Sequence, residues 1–166
     1  TEARQVQHNS TKLPAAQESE QQIVGSILLE PPLLAEFSKV ARASDLVDPC
    51  HRAAIGEVMQ MHRAGVPIDV LTLRQRLECK PQFTGETTAF QYLAATGEAV
   101  VTVAHFAYHL GLIVEAARKR AIHRAAIDIA EAALNGQASG TLLSDWGASL
   151  FELQRDTTGN EIQRYC

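Results

Sequence analysis

From Thr102 to Asn135 the chain carries no proline and a single glycine, Gly111, and its apolar residues keep a helical period throughout. Nothing in that stretch supplies a stop signal, so it is predicted to form one helix, well over twice the usual length of ~11–12 residues. A chain of 166 residues builds one domain or two small ones, and a single core is the simpler reading. A helix that long outruns such a core and must protrude from it. Its distal half carries a narrow apolar stripe, Ile122, Ala126, Ile129 and Ala133, at spacings of 4, 3 and 4 residues. That is the seam of a helix paired lengthwise with another.

The mate follows at once. Asn135-Gly136 reads as a C-cap, and a further helix opens at Gly140 or Thr141, with Leu142, Trp146, Leu150 and Leu153 spaced 4, 4 and 3 residues apart. Two such helices on a short connection make an antiparallel hairpin. Its apolar content exceeds what two helices can hide from each other, because Ile127, Leu143 and Phe151 fall off the seam. A second copy of the hairpin is the simplest cover for the surplus. The hairpin and dimer interface is therefore assigned to Ile122, Ala126, Ile129, Ala133, Leu142, Leu143, Trp146, Leu150 and Leu153.

The rest of the chain is also helical in character. With 25 Ala and 17 Leu against 9 aromatics, the composition favours helix over a sandwich or barrel. Residues 1–17 are polar and aperiodic and read as a disordered lead-in. A helix with Ile23, Val24, Ile27 and Leu28 opens at Glu18 and ends at Pro31-Pro32, which also starts a second helix carrying Leu33, Leu34, Phe37 and Val40. Asp48 is an N-cap with Pro49 in the first helical position, and that helix shows a stripe of Ile55, Val58, Met59 and His62 before Gly65. Asp69 caps a short helix with Leu73 and Leu77 inward. Another helix spans Thr87 to Thr96, with Phe90 and Leu93 on one face and Gly97 as its stop. The prediction is an all-α chain: a compact head of about five or six helices over 18–120, a protruding hairpin over 121–154, and a polar linker start over 155–166.

Charge excludes several functions. Fifteen Lys and Arg against nineteen Asp and Glu give a net charge of −4, and no Lys or Arg lies between Lys80 and Arg118. A domain whose main task is gripping a nucleic-acid backbone is normally basic. No apolar run approaches the ~18 residues of a membrane span. Three cysteines, Cys50, Cys79 and Cys166, without a C-x-x-C pattern fit a reducing cytoplasm. The chain does not begin with Met, which suggests processing or a fragment of something longer. There is no P-loop, no G-x-G-x-x-G and no G-x-S-x-G, and no catalytic or cofactor-binding residue is assigned.

Three motifs have both a chemical and a plain reading. His105 and His109 share a helix face at metal-ligand spacing, but Phe106 stands where a zincin carries its general base, and no third ligand follows at motif spacing. They read as helix-surface histidines, and no metal site is assigned. Cys50-His51 sits at a helix start, with Cys50 as a small buried group and His51 as a first-turn polar residue. Arg118, Lys119, Arg120 and Arg124, with His123, are the one dense basic cluster. They read either as an electrostatic contact for an acidic partner or nucleic acid, or as a solvated helix partly neutralised by Glu115 and Asp128, and the overall charge favours the second.

The order of these features resembles a known family. Pro14-Ala15-Ala16-Gln17-Glu18-Ser19-Glu20-Gln21 followed by Ile23-Val24-Gly25 is similar to the opening of the N-terminal domain of DnaB-type replicative DNA helicases. Asp48-Pro49-Cys50-His51-Arg52 with Ile55, then Gly65-Val66-Pro67-Ile68-Asp69 with Thr72-Leu73, then Tyr92-Leu93 and Tyr108 before Ile113-Val114-Glu115, continue the pattern in order. Leu46 and Val47 depart from it where the family usually has Phe. The resemblance implies a helical head and hairpin that pairs with a second copy, and a trimer of dimers forming a collar on a hexameric motor. It implies docking of the primase C-terminal domain and of a helicase loader. DNA contact, ATP and Mg would belong to the motor of the parent protein, so this chain would hold no cofactor and catalyse nothing itself. The implied location is the cytoplasm, at replication forks. The competing reading is a free-standing adaptor or loader of the same fold without a motor; what the gene encodes after Cys166 separates the two.

Overall fold

The protein is described by a computed structural model covering residues 16–100, 102–136 and 138–162, without the side chains of 152, 153 and 155–162. Lead-in residues 1–15, Cys166 and the Leu153 side chain lie outside the described residues. Seven α-helices form among the described residues: α1 Gln17–Leu29, α2 Leu33–Val40, α3 Pro49–Arg63, α4 Val70–Leu77, α5 Ala89–Ala99, α6 Phe106–Leu134 and α7 Ser139–Ile162. Short 3-10 turns at Ala43–Asp45 and Pro81–Phe83 complete the chain, and no β-strand occurs among the described residues.

Chain punctuation falls where the chemistry of the residues puts it. Pro31 and Pro32 lack an N–H and separate α1 from α2. Asp48 accepts the N–H groups of Cys50 and His51 in the first turn of α3, with Pro49 at N1. Gly65, at φ 66°, ends α3: its N–H donates to the His62 carbonyl, and the Val66 N–H donates to that of Met61. This six-to-one and five-to-two closure needs a left-handed residue, which glycine adopts without a Cβ clash. Asp69 accepts the Thr72 N–H and hydroxyl to start α4. Thr88 and Gln91 exchange side-chain and backbone bonds in a capping box that opens α5.

Helix α1 is the centre of the head. Ile23, Val24 and Ile27 are fully buried, and α1 packs on α2, α3, α5 and α6. The core is completed by Phe37, Leu46, Ile55, Val58, Met61, Leu73, Leu77 and Ile113. Gly25 lets α5 approach. A Cβ there would lie 2.3 Å from Val100 Cγ2 and 2.8 Å from the Thr96 carbonyl oxygen, and the latter is backbone that cannot swing aside.

Several expectations are corrected. Helix α1 begins at Gln17, and Ala16 packs against the core, so the lead-in does not extend to residue 17. The buried stripe of α3 is His51, Ala54, Ile55, Val58 and Met61; Met59 is half-buried and His62 exposed. Helical periodicity admitted either register, and packing against α1 and α4 selects this one. On α5, Ala89, Tyr92, Leu93 and Thr96 face inward, Phe90 is 63 % exposed, and the helix passes Gly97 to end at Ala99. Helix α7 runs on to Ile162, through the start of the segment read as linker. Replacing Gly25 with Ala is expected to cost about 1–3 kcal/mol, the usual range for overpacking a filled contact. Urea unfolding of the variant against the parent chain measures it.

Candidate interaction surfaces

The densest group of ionisable side chains lies inside the head. Glu20, 1 % exposed, accepts the N–H groups of Val47 at 2.7 Å and Asp48 at 3.0 Å. Arg52 donates from the other side to the carbonyls of Leu46 and Val47. Both polar faces of the loop before α3 are thus occupied, as burial of backbone requires. One turn along, His51 Nδ1 lies 2.8 Å from the Tyr92 hydroxyl. Burial pushes the His51 imidazole below its ordinary range, outweighing the nearby Asp48 and Glu20 carboxylates, and burial likewise pushes the Tyr92 hydroxyl up. The ring and the hydroxyl share one hydrogen bond, whose direction the imidazole tautomer sets. Cys50 is half-buried, its thiol raised by desolvation and then by Asp48, which makes it a poor nucleophile. The cluster has the residue types of a catalytic site, but it is enclosed and hydrogen-bonded, and it works as a clasp. His51 is a first-turn polar residue, as its place in the chain suggests, and it is buried there.

The neighbours of Glu20 extend the clasp. Ser19 Oγ lies 3.1 Å from His109 Nδ1 on α6, and Gln21 and Gln22 donate to the carbonyls of Ala95 and Ala99 at the end of α5. His109 thus holds α6 to α1, and His105 is the residue before the first turn of α6. Among the described residues no group of three or more His, Cys, Asp or Glu is placed to hold a metal. Glu57, also buried, pairs with Lys80 at 2.5 Å and Arg76 at 3.5 Å, tying α3 to α4 and the turn beyond it.

Glu20→Gln is expected to cost about 1.5–3 kcal/mol, because the amide turns a donor toward one of two loop N–H groups. Denaturant titration reads the loss. For His51 the unfolded chain binds a proton near the ordinary value of 6.5 while the folded chain resists it, so stability falls as pH drops through that value. The stability gap between the parent chain and His51→Gln should accordingly narrow between about pH 7.5 and about pH 5.5.

The outer surface is different in kind. Beyond Ala116, the last buried residue of α6, that helix leaves the head and pairs with α7. Between them runs a groove of ≈ 190 Å³ whose walls include Ala125, Asp128, Ile129 and Ala132 of α6 with Leu142, Asp145 and Trp146 of α7. The seam is thus Ala121, Ala125, Ile129 and Ala132 against Leu142 and Trp146. Ile122, Ala126 and Ala133 face outward, a correction to the predicted seam by one helical position. Alanine on both flanks of the stripe left its rotation open in the sequence. Ile127, Leu143 and Phe151 are exposed, as is Leu150 at 37 %, and Trp146 is 38 % exposed. Removing that indole should therefore cost about 1–2 kcal/mol in the isolated chain, against the 3–5 of a fully buried aromatic.

The basic cluster at the base of α6 is partly engaged. Arg118 and Lys119 share the Glu115 carboxylate at 3.4 Å, and Arg120 donates to the Asp45 carbonyl across to the head. Arg124 is exposed on the hairpin. On the head Val70, Leu71 and Phe90 are exposed, with the Arg74 guanidinium over the Phe90 ring.

This architecture has known counterparts. The family model described as the DnaB-like helicase N-terminal domain matches residues 12–115. The chain belongs to the DnaB-like helicase N-terminal domain family. The replicative DNA helicase DnaB of Geobacillus stearothermophilus is 26 % identical over 118 residues, covering 71 % of this chain and 26 % of that protein. That of Pasteurella multocida is 25 % identical over 151 residues, covering 89 % and 32 %. The chain spans about a quarter to a third of the length of these relatives. Among solved structures, the N-terminal domain of DnaB helicase from Mycobacterium tuberculosis superposes with a TM-score of 0.76 at 21 % identity, covering 86 % of this chain and 99 % of that one. A DnaB-like replicative helicase, described together with its interactions with primase, has a TM-score of 0.67 at 25 % identity, covering 88 % and 34 %. The family match ends at Glu115, where α6 leaves the head. The match spans the clasp and the caps of the head just described, and the hairpin groove lies outside it.

Proposed function

We propose that this chain is the non-catalytic N-terminal collar domain of a replicative DNA helicase, assembling through its hairpin and docking primase and a loader. The observation that carries the reading is the outward apolar surface of α6 and α7: Ile122, Ile127, Leu143 and Phe151 stay exposed on a two-helix arm that cannot bury them itself. Exposed apolar surface of that kind, on an arm projecting from a satisfied head, belongs to an interface. Family membership supports the parent machine, and the relative studied with primase supports that partner class. In this reading ATP and Mg are handled by a motor elsewhere in the parent protein, and this chain organises the assembly in the cytoplasm at replication forks. No helix among the described residues is long and apolar enough to cross a membrane.

Sedimentation equilibrium tests assembly. The chain should associate at micromolar concentrations, and Leu143→Glu should shift it toward monomer with its helical circular dichroism unchanged. A strict monomer at high concentration overturns the assembly reading. Capture of the cognate primase C-terminal domain should succeed with the parent chain, and absence of capture overturns the docking claim.

A further inference from the structure

Helix α6 is one unbroken helix of 29 residues, yet the head holds only its first part. Phe106, Leu110, Ile113 and Ala116 are its buried residues, and the helix beyond them is an arm. From Ala116 to Leu134 the arm spans about 27 Å at about 1.5 Å per residue, so a rotation of about 10° at Ala116 carries its tip through about 5 Å. The two flanks of the helix differ at this exit. On one, Leu112, Glu115 and Lys119 face the start of α1, from Ala16 to Ser19, across a groove of ≈ 480 Å³. On the other, about a quarter-turn round, the Arg120 guanidinium donates to the carbonyl of Asp45, 75 residues earlier in the chain. The footing of that bond is itself held. Asp45 Oδ2 accepts the Arg42 N–H at 2.7 Å, Leu46 is 1 % exposed, Arg52 donates to the Leu46 carbonyl, and Glu20 accepts the N–H groups of Val47 and Asp48.

We infer that Arg120 is a strap that sets the angle at which the arm leaves the head, and that the strap takes its position from the Glu20 clasp. A helix held along one face can rock about that face, and contacts on its flanks limit the rocking. Here one flank meets a groove and the other a bond to a fixed loop, so the bond supplies the restraint. Without it the arm swings away from the Ala43–Asp45 turn and over the groove, toward the start of α1. Loosening the loop from inside has the same effect, because Glu20 holds the backbone just beyond Asp45. A change in the core thereby becomes a change in the direction of the arm, enlarged by its length. The strap acts within one chain and does not depend on what the arm binds.

Spin-label distances on the full chain test the strap. The background carries Cys50→Ala, Cys79→Ser and Cys166→Ser, and a label at Leu134→Cys, 87 % exposed, is paired with one at either exposed head position, Glu18→Cys or Ser44→Cys. Unlabelled chain in excess keeps the measured distances within one molecule. Arg120→Ala should lengthen the 44–134 distance and shorten the 18–134 distance, each by about 5 Å. Glu20→Gln, at the far end of the same run of bonds, should move both distances in those directions. Arg118→Ala, which removes a neighbouring charge bound to Glu115, should leave both at the parent values. Parent distances in Arg120→Ala, shifts of one sign in both pairs, or an equal shift in Arg118→Ala overturn the strap. Parent distances in Glu20→Gln overturn its link to the clasp. Helical circular dichroism of each variant guards against a folding defect, and sedimentation of the parent chain reads self-association separately.

Discussion

One buried carboxylate organises the head. Glu20 lies buried in the first turn of the core helix α1, where an unpartnered charge would cost several kcal/mol, and it is tolerable because two loop N–H groups converge on it. That pair of bonds fixes the backbone at Val47 and Asp48. With the loop fixed, Asp48 is in position to cap α3, and α3 starts in the rotation that turns His51 under Tyr92 of α5. The flanking residues repeat the device, Ser19 toward α6 and Gln21 and Gln22 toward the end of α5. Four consecutive polar side chains on the core helix thus set the placement of three other elements. No buried side-chain nitrogen or oxygen among the described residues is left without a partner.

The head and the hairpin solve opposite problems. In the head, the buried polar side chains are hydrogen-bonded. In the hairpin, alanine-rich helices approach closely along Ala121, Ala125 and Ala132 and leave their larger apolar side chains outside. Small residues at a helix contact permit close packing but bury little area, and the arm therefore retains adhesive surface. Arg120, which reaches from α6 back to Asp45, and the Ser19–His109 contact anchor the long helix to the head before it projects.

The residues on which the family resemblance rests are caps, turns and the clasp of the head. Glu20, Asp48, Gly65, Asp69 and Thr72 occupy caps, turns and the clasp, positions where the backbone admits few side chains. Their types and spacing are readable because caps and turns are local chemistry. The buried state of Glu20, Glu57 and His51 was not readable, because burial depends on what arrives from distant parts of the chain. Tyr92 is 41 residues from His51, and Arg76 comes to Glu57 from the next helix and Lys80 from the turn beyond it.

By itself the sequence determined the helical class, the breaks at Pro31-Pro32 and Gly65, the caps at Asp48 and Asp69, and the existence of a hairpin whose apolar content exceeds its own seam. These follow from propensity, capping and period, which act over a few residues. Tertiary structure decided the rotation of each helix: Met61 inward in place of Met59, Phe90 outward, and Ala125 rather than Ala126 on the hairpin seam. An α-helix presents similar residues on adjacent faces wherever alanine and leucine are dense, so period alone leaves a rotation of one position undetermined. Packing against α1 in the head, and against α7 in the arm, removes that freedom.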